Sequence, residues 1–143
     1  MLHVEHSIIP IDILEEMIAL GEGYKTEFRD NVPPLLDIAR TFCAFANTKG
    51  GNLFIGICSS GETVRIRDKY GIVSRVEESI SLLSPRPTFV VQAVDFNLNE
   101  IIMITVHEGD RKPYYVQESE GKLAYIRTGA VNTPATKKEL KHL

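Results

Sequence analysis

Apolar residues recur at helical spacing in three segments of the chain, residues 10–20, 35–46 and 72–83. A one-sided apolar stripe with a period of 3.6 residues predicts an amphipathic helix in each segment. Pro33-Pro34 is positioned to begin the second helix, and Gly21 to end the first. Thr133 or Thr136 is a candidate cap for a short fourth helix.

The other apolar runs are short, rich in β-favouring residues and bounded by turn signals, which predicts strands. The predicted strands are residues 24–29, 52–58, 62–67, 89–94, 100–106, 114–117 and 123–127. Ser59-Ser60-Gly61 and Asn97-Leu98-Asn99 are typical of hairpin turns. Three or four helices around a mixed sheet of about six strands make an α+β domain.

Size and charge narrow the range of functions. With 143 residues, 43% of them hydrophobic, the chain is long enough for one compact core, so we expect a single domain over residues 1–143. The 19 acidic and 16 basic residues give a formal net charge of −3. The net charge therefore gives no support for nucleic-acid binding of the kind that a strongly basic domain would give. It is compatible with a local basic patch.

The sequence also favours one cellular location. Its first residues lack the basic start and long apolar run of a signal peptide, and no apolar stretch approaches the roughly 18 residues of a membrane span. We therefore expect a cytoplasmic protein that does not bind a membrane. Cys43 and Cys58 have no CxxC partner or neighbouring histidine pair, so buried free thiols are expected rather than a zinc site or disulfide framework.

The segment AFANTKGGNLFIGI, residues 44–57, places a lysine beside two glycines. A phosphate-binding P-loop runs from a strand through Gly-Lys-Ser/Thr into a helix. Here the loop leaves a helix and enters a strand, and Lys49 precedes the glycines. Gly50 is therefore expected to supply a left-handed helix cap, and Gly51 a tight entry into the strand. Lys49 is either a solvated turn residue or a point contact to a backbone phosphate.

The predicted first strand carries a row of charged residues on one face, formed by Lys25, Glu27 and Arg29. Such a row usually faces water. The alternative is a groove in which carboxylates hold a divalent ion and the cations hold phosphates, with Glu22 as a second acid.

Four motifs together resemble a known family. They are EGYKTEFR at residues 22–29, AFANTKGGNLFIGI at 44–57, SPRP at 84–87 and YIRTGA at 125–130. In this order they are similar to the Alba-like domain of Schlafen proteins and of many prokaryotic regulators, over a core of about residues 15–139. The resemblance implies an α+β nucleic-acid-binding domain. An older description of this domain as a divergent ATPase has no support in the loop order described above.

The resemblance also implies a catalytic hypothesis. Ribonuclease-active Schlafens use two glutamates, which Glu22 and Glu27 match, and an aspartate after the AFANTxGG loop. Where the family often has Ile-Gly-Val-Asp-Asp, this chain has Ile-Gly-Ile-Cys-Ser-Ser, and Glu62 and Asp68 are the next acids. A metal site that lacks one ligand loses much of its affinity, so binding is expected more than cleavage. Binding requires no cofactor, whereas a nuclease of this type would use Mg²⁺ or Mn²⁺.

Basic residues spread along the chain are candidate contacts for nucleic acid. They are Lys25, Arg29, Lys49, Arg86, Arg111, Lys112 and Arg127. Arg127 is equally well explained as an ion-pair partner of Glu22 or Glu27. Tyr114 or Tyr115 is a candidate for stacking on an unpaired base, and the other for core packing.

Three functions are compatible with these observations. The first is a DNA- or RNA-binding module, such as the domain of a transcriptional regulator, and the second is a metal-dependent endoribonuclease. The third is a protein-interaction or homodimerisation domain, in which the apolar runs 89–94 and 101–106 expose an edge or patch.

Overall fold

The computed structural model describes residues 4–6 and 9–143 of the chain. The helices are α1 (Ile11–Ala19), α2 (Leu35–Asn47), α3 (Lys69–Ile80) and α4 (Lys137–Lys141). The strands are β1 (Val4–His6), β2 (Thr26–Arg29), β3 (Gly51–Ile55), β4 (Leu83–Ser84), β5 (Phe89–Phe96), β6 (Asn99–Val106), β7 (Tyr115–Glu118), β8 (Gly121–Leu123), β9 (Tyr125–Thr128) and β10 (Val131–Pro134). Among the described helices, none is both long and apolar enough to span a bilayer.

A mixed five-stranded sheet forms the centre of the fold, in the order β1-β5-β6-β3-β2. β2 runs parallel to β3, β6 is antiparallel to β3 and β5, and β1 runs parallel to β5. Two small sheets complete the fold, β4-β7-β8 and β9-β10. The α+β class is confirmed, with a central sheet one strand smaller than expected and the remaining strands in the small sheets.

Alternation along the central strands creates two cores, one on each face of the sheet. In β3, Leu53 and Ile55 lie in the larger core with α2 and α3. Phe54, from the same strand, lies in the smaller core with Leu14 and Ile18 of α1. The central sheet is therefore covered on both faces, α1 on one side and α2 and α3 on the other.

Turn and cap residues fix several element boundaries. Asn97 and Leu98 both adopt positive φ, as a two-residue hairpin turn between β5 and β6 requires. The Asp68 side chain accepts a hydrogen bond from the Gly71 amide, so α3 begins at Lys69, earlier than the predicted residue 72. Thr136 caps α4 in a reciprocal capping box with Glu139.

Two predictions about strands are wrong. In the part of the chain that the structure describes, residues 62–67 form a single bridge, Thr63 to Ile57, rather than a hairpin strand. The reason is that β3 already pairs with β2 on one side and β6 on the other, so no edge is left for a third partner. The predicted strand 123–127 is divided at Ala124 between β8 and β9, and β1, β4 and β10 were not predicted.

The expected apolar edge is also absent from the described sheet. β5 lies between β1 and β6, and β6 lies between β5 and β3, so neither is the edge strand of the described sheet, and β1 covers Val91–Ala93 of β5. Their apolar residues fill the two cores, as Val91 and Ile104 do in the larger core and Val94 and Met103 in the smaller. Residues 89–94 and 101–106 therefore give no support to a homodimer interface.

Candidate functional site

Arg127 occupies the centre of a buried polar cluster next to α2. Its side chain is inaccessible to solvent, and its Nη1 donates to Glu27 Oε1 at 2.7 Å and to Asn132 Oδ1 at 2.8 Å. Nε and Nη2 donate to the Gly23 carbonyl at 3.1 and 3.0 Å, and Nη2 donates also to the Thr26 carbonyl at 3.0 Å. These bonds use every N–H that a guanidinium has. The group also lies 5.0 Å from the centre of the Phe45 ring, within cation–π range.

Glu27 is the buried anion of the same cluster. Its second oxygen, Oε2, accepts hydrogen bonds from Thr41 Oγ1 at 3.1 Å and from Arg29 Nε at 3.2 Å. The residue is 5% exposed, so the prediction of a charged row facing water is wrong at this position. The physical reason is that α2 and β9 cover this face of β2, and burial of a carboxylate is tolerated where opposite charge and hydrogen bonds surround it.

The cluster holds a turn that faces solvent. Gly23 and Thr26 bridge each other through paired backbone hydrogen bonds, and Tyr24 and Lys25 form the tip between them. Because the Arg127 guanidinium bonds to the carbonyls of both Gly23 and Thr26, it fixes the base of this turn. The buried ion pair therefore positions two exposed side chains, an aromatic ring and an ammonium group.

The two glutamates expected at a metal site differ in their surroundings. Glu22 is exposed, and its carboxylate accepts a hydrogen bond from the Phe28 amide at 3.2 Å. Both carboxylate oxygens of Glu27 are occupied by protein donors, one of them the Arg127 guanidinium. Among the described residues, no group of three or more histidines, cysteines or acids is placed to hold a metal ion. Because both Glu27 oxygens are already engaged by protein groups, Glu22 and Glu27 do not fit a divalent-ion site.

A second ionic cluster ties α2 to the small sheets. Arg40 binds the Glu118 carboxylate through two hydrogen bonds, of 3.0 and 2.6 Å, and the Tyr125 hydroxyl donates to the same carboxylate. Hydrogen bonding from Arg40 holds the pKa of Glu118 below its usual value. Burial, followed by the bond to Glu118, raises the pKa of Tyr125 to about 12.

Asn47, in the AFANT segment, joins three elements. Its Nδ2 donates to the carbonyls of Tyr114 at 2.9 Å and Tyr125 at 2.8 Å, and its Oδ1 accepts from the Tyr114 amide at 2.6 Å. The side chain is fully engaged and 1% exposed. Asn47 thus has a structural role that the sequence alone did not identify.

The loop after Asn47 is a turn, as the sequence predicts. Gly50 adopts φ +76°, and a Cβ there would lie 2.7 Å from the Val106 carbonyl oxygen. Gly51 packs against the Phe45 ring, where a Cβ would approach within 2.6 Å. The two glycines are therefore explained by backbone geometry and close packing. Lys49, between Thr48 and Gly50, is exposed.

The sheet topology brings five of the predicted cations to one end. β2 and β3 begin at this end, β6 ends there and β5 begins there, because β6 is antiparallel to β3 and β5. The loops at this end carry Lys25, Lys49, Arg86, Arg111 and Lys112, and we call this surface the basic end. Residues that are far apart in the sequence thus form one surface.

Contacts and charge effects between loops confirm that Lys112, Lys49 and Lys25 lie close together. Lys112 Nζ donates to the Thr48 carbonyl at 3.2 Å and forms an ion pair with Glu108 at 2.8 Å. The pKa of Glu108 is held below its usual value by the Lys112 hydrogen bond first, and also by the charges of Lys49 and Lys25. The Arg86 guanidinium lies 5.5 Å from the centre of the Phe89 ring.

The other two predicted cations lie elsewhere. Arg29 ends β2, at the far end of the sheet, and pairs with Glu27. Arg127 is buried, so it cannot reach a phosphate in this conformation. Tyr114 is 2% exposed and packs in the larger core, which excludes it as a stacking platform, while Tyr115 is partly exposed. An exposed aromatic ring beside the basic end is that of Tyr24, which is 42% exposed.

A known family matches most of the chain. Residues 22–136 match the family model described as Schlafen, AlbA_2. The fold is similar to that of the DIP2311 protein from Corynebacterium diphtheriae, with a TM-score of 0.62 and 16% identity over 92% of this chain and 27% of that one. This chain therefore spans about a quarter of DIP2311.

A second solved structure has a similar length. It is the N-terminal domain of a protein related to the ATP-dependent DNA helicase RecG, from Nitrosomonas europaea, with a TM-score of 0.60 and 21% identity over 89% of this chain and 91% of that one. At these identities the two structures support the fold alone. A search of curated proteins gave no significant match.

Proposed function

This chain belongs to the Schlafen AlbA_2 family, and from that premise we propose that it is a nucleic-acid-binding domain, of the kind found in transcriptional regulators, that contacts DNA or RNA phosphates through its basic end. The observation that carries the proposal is the convergence of Lys25, Lys49, Arg86, Arg111 and Lys112 on one end of the sheet. Phosphate contacts by lysine and arginine supply most non-specific affinity for nucleic acid.

The local charge explains how an acidic chain serves this function. The acids in the loops of this end are Glu22, Glu108 and Asp110, and Glu108 is already paired with Lys112. The five cations therefore outnumber the acids around them, although the formal net charge of the chain is −3. Because salt screens such contacts over about 10 Å, binding is expected to be salt-sensitive. The relationship of the Nitrosomonas protein to a DNA helicase is consistent with this proposal.

The test is fluorescence anisotropy with labelled duplex DNA, single-stranded DNA and a structured RNA, each at two salt concentrations. The Lys25→Ala/Lys49→Ala variant is expected to weaken binding about tenfold and to lower the slope of log K against log salt by about 2. Its control is Arg75→Ala/Lys122→Ala, which removes two exposed cations from other surfaces. Equal losses in both variants would contradict a specific role for the basic end, and an absence of binding to all three probes would favour a protein-interaction domain instead.

The endoribonuclease hypothesis is tested in the same experiment. The RNA is incubated with Mg²⁺ or Mn²⁺ and run on a denaturing gel, with Glu27→Gln as the variant. Intact RNA is expected, because Glu27 is engaged by Arg127, Arg29 and Thr41. Metal-dependent cleavage that disappears in a folded Glu27→Gln variant would make the protein a nuclease of the Schlafen type.

A further inference from the structure

The exposed ring of Tyr24 lies at the wall of a groove. Tyr24 is 42% exposed at the tip of the turn that Arg127 holds. The adjoining groove, of about 390 Å³, is also lined by Ile126 of β9, by Thr48 and Lys49, and by Lys138 and His142 at the end of the chain. Its volume is within the range of about 300–1,000 Å³ that is usual for small-molecule sites.

The walls of the groove suit a flat, aromatic group. The accessible lining is mainly apolar, with the Tyr24 ring and the Ile126 side chain among its members. Nucleobases stack on aromatic side chains through their π faces, and this contact tolerates any base. In a duplex both faces of each base are covered by neighbouring bases, so a stacking groove of this kind can take only an unpaired base.

The charges around the groove suit the phosphates on either side of such a base. Lys49 and Lys138 line the groove, and Lys25 follows Tyr24 at the turn tip. Among the side chains of the lining, Glu139 is the acid, and its Oε1 is engaged by the Thr136 amide in the capping box of α4. Apolar walls beside cationic groups match a stacked base flanked by its phosphodiesters.

We propose that this groove takes an unpaired base of a single-stranded nucleic acid, stacked on Tyr24, with its flanking phosphates on Lys49 and Lys138. The inference rests on the proposed function, since it assigns a substrate class to the same basic end. It predicts that single strands, loops and overhangs bind in preference to blunt duplex.

The experiment compares a short fluorescein-labelled single-stranded RNA with the same strand annealed to its complement. Anisotropy titrations use the wild-type chain, Tyr24→Ala, Tyr24→Phe and Tyr70→Ala, in which the control Tyr70 is 82% exposed on α3. The wild-type chain is expected to prefer the single strand, and Tyr24→Ala to weaken its binding about tenfold. Tyr24→Phe and Tyr70→Ala are expected to leave the single-strand affinity within about twofold of wild type, because the first retains the aromatic ring and the second lies elsewhere.

The outcomes separate this inference from the proposed function. Salt-sensitive binding with no preference for the single strand, or with no loss in Tyr24→Ala, would overturn the stacking groove and leave the basic end intact. If neither the single strand nor the duplex binds, the stacking groove and the proposed function are both overturned. Circular dichroism of each variant establishes whether it is folded. If Tyr24→Ala is not folded, Lys138→Ala becomes the deciding variant, and it is expected to lose affinity for the single strand but not for the duplex.

Discussion

The buried cluster around Arg127 and the basic end of the sheet use charge in opposite ways. Arg127 has a protein partner for each of its N–H groups and is 2% exposed. Lys49, which lines the same groove, is exposed in a tight loop. Charge that is satisfied inside the protein holds the scaffold, whereas charge directed at water is available to a partner.

The two regions are connected through one turn. Arg127 binds the carbonyls of Gly23 and Thr26, and the residues between them, Tyr24 and Lys25, belong to the surface. Glu27, which the family resemblance matched to a catalytic glutamate, thus belongs in this chain to the support of an exposed turn. Substitutions in the buried cluster should therefore change the stability of the fold, and substitutions at the basic end should change the affinity for nucleic acid.

The largest expected effect is in the buried cluster. Arg127→Met leaves the Glu27 carboxylate without its cation, and loss of one partner from a buried ion pair costs about 3–5 kcal/mol of unfolding free energy. Urea unfolding followed by circular dichroism measures the change, with the exposed Arg75→Met as control. A loss no larger than that of the control would mean that the pair contributes little. Glu27→Gln/Arg127→Met should lose less than the two single losses added together, because the two residues contact each other.

Asn47→Ala tests the polar link between α2 and the small sheets. The substitution leaves the Tyr114 amide and the carbonyls of Tyr114 and Tyr125 without this partner, and the expected loss of stability is about 3 kcal/mol. Chemical denaturation again supplies the measurement, and Asn31→Ala, at an exposed position, is the control. Stability equal to that of Asn31→Ala would show that other bonds replace those of Asn47.

The Arg40–Glu118 pair should give the fold a specific acid sensitivity. Because the folded protein holds the pKa of Glu118 below its usual value, the carboxylate contributes stability above the unfolded pKa of about 4.3 and loses it as pH falls through the folded value. Between pH 7 and pH 3, wild type should therefore lose about 1 kcal/mol more than Glu118→Gln. Unfolding midpoints measured across that range check the difference, and parallel curves for the two proteins would contradict it.

The smallest expected effect is at the basic end and is a gain. Glu108 lies among Lys112, Lys49 and Lys25, which lower its pKa, so it is charged at neutral pH. Glu108→Gln removes a negative charge from the proposed phosphate surface and should tighten nucleic-acid binding about two- to threefold at low salt. Anisotropy at low and high salt distinguishes this gain, which should vanish at high salt, from a change in the fold. Glu77→Gln, at an exposed position of α3, is the matched control.

Local features of the sequence predicted much of the fold. The three longer helices, the β5–β6 hairpin, the Gly50 cap and the Thr136 cap all follow from patterns within a few residues. The failed hairpin at residues 62–67 has a non-local cause, since both edges of β3 are taken by β2 and β6. A propensity for strand structure does not show whether a free edge exists.

The candidate site was predictable only in part. The sequence identified Glu27 and the cations of the basic end, and it left open whether Arg127 pairs with an acid or contacts a ligand. It placed Glu27 on a face open either to water or to a ligand groove, whereas the residue is buried. It also proposed Tyr114 or Tyr115 as a stacking residue, whereas the exposed ring is that of Tyr24. Alternation along a strand separates two faces but does not show what covers each of them.

The sequence by itself determined the family, the α+β class and the turn in the AFANTKGG loop, because these depend on local patterning and on a motif. Only the tertiary structure decided which charges are scaffold and which are surface. Glu27 and Arg127 are 100 residues apart in the chain, and the cations of the basic end come from four separate loops. Burial and pairing at such separations depend on how the sheet, α2 and β9 pack together, which no local pattern specifies.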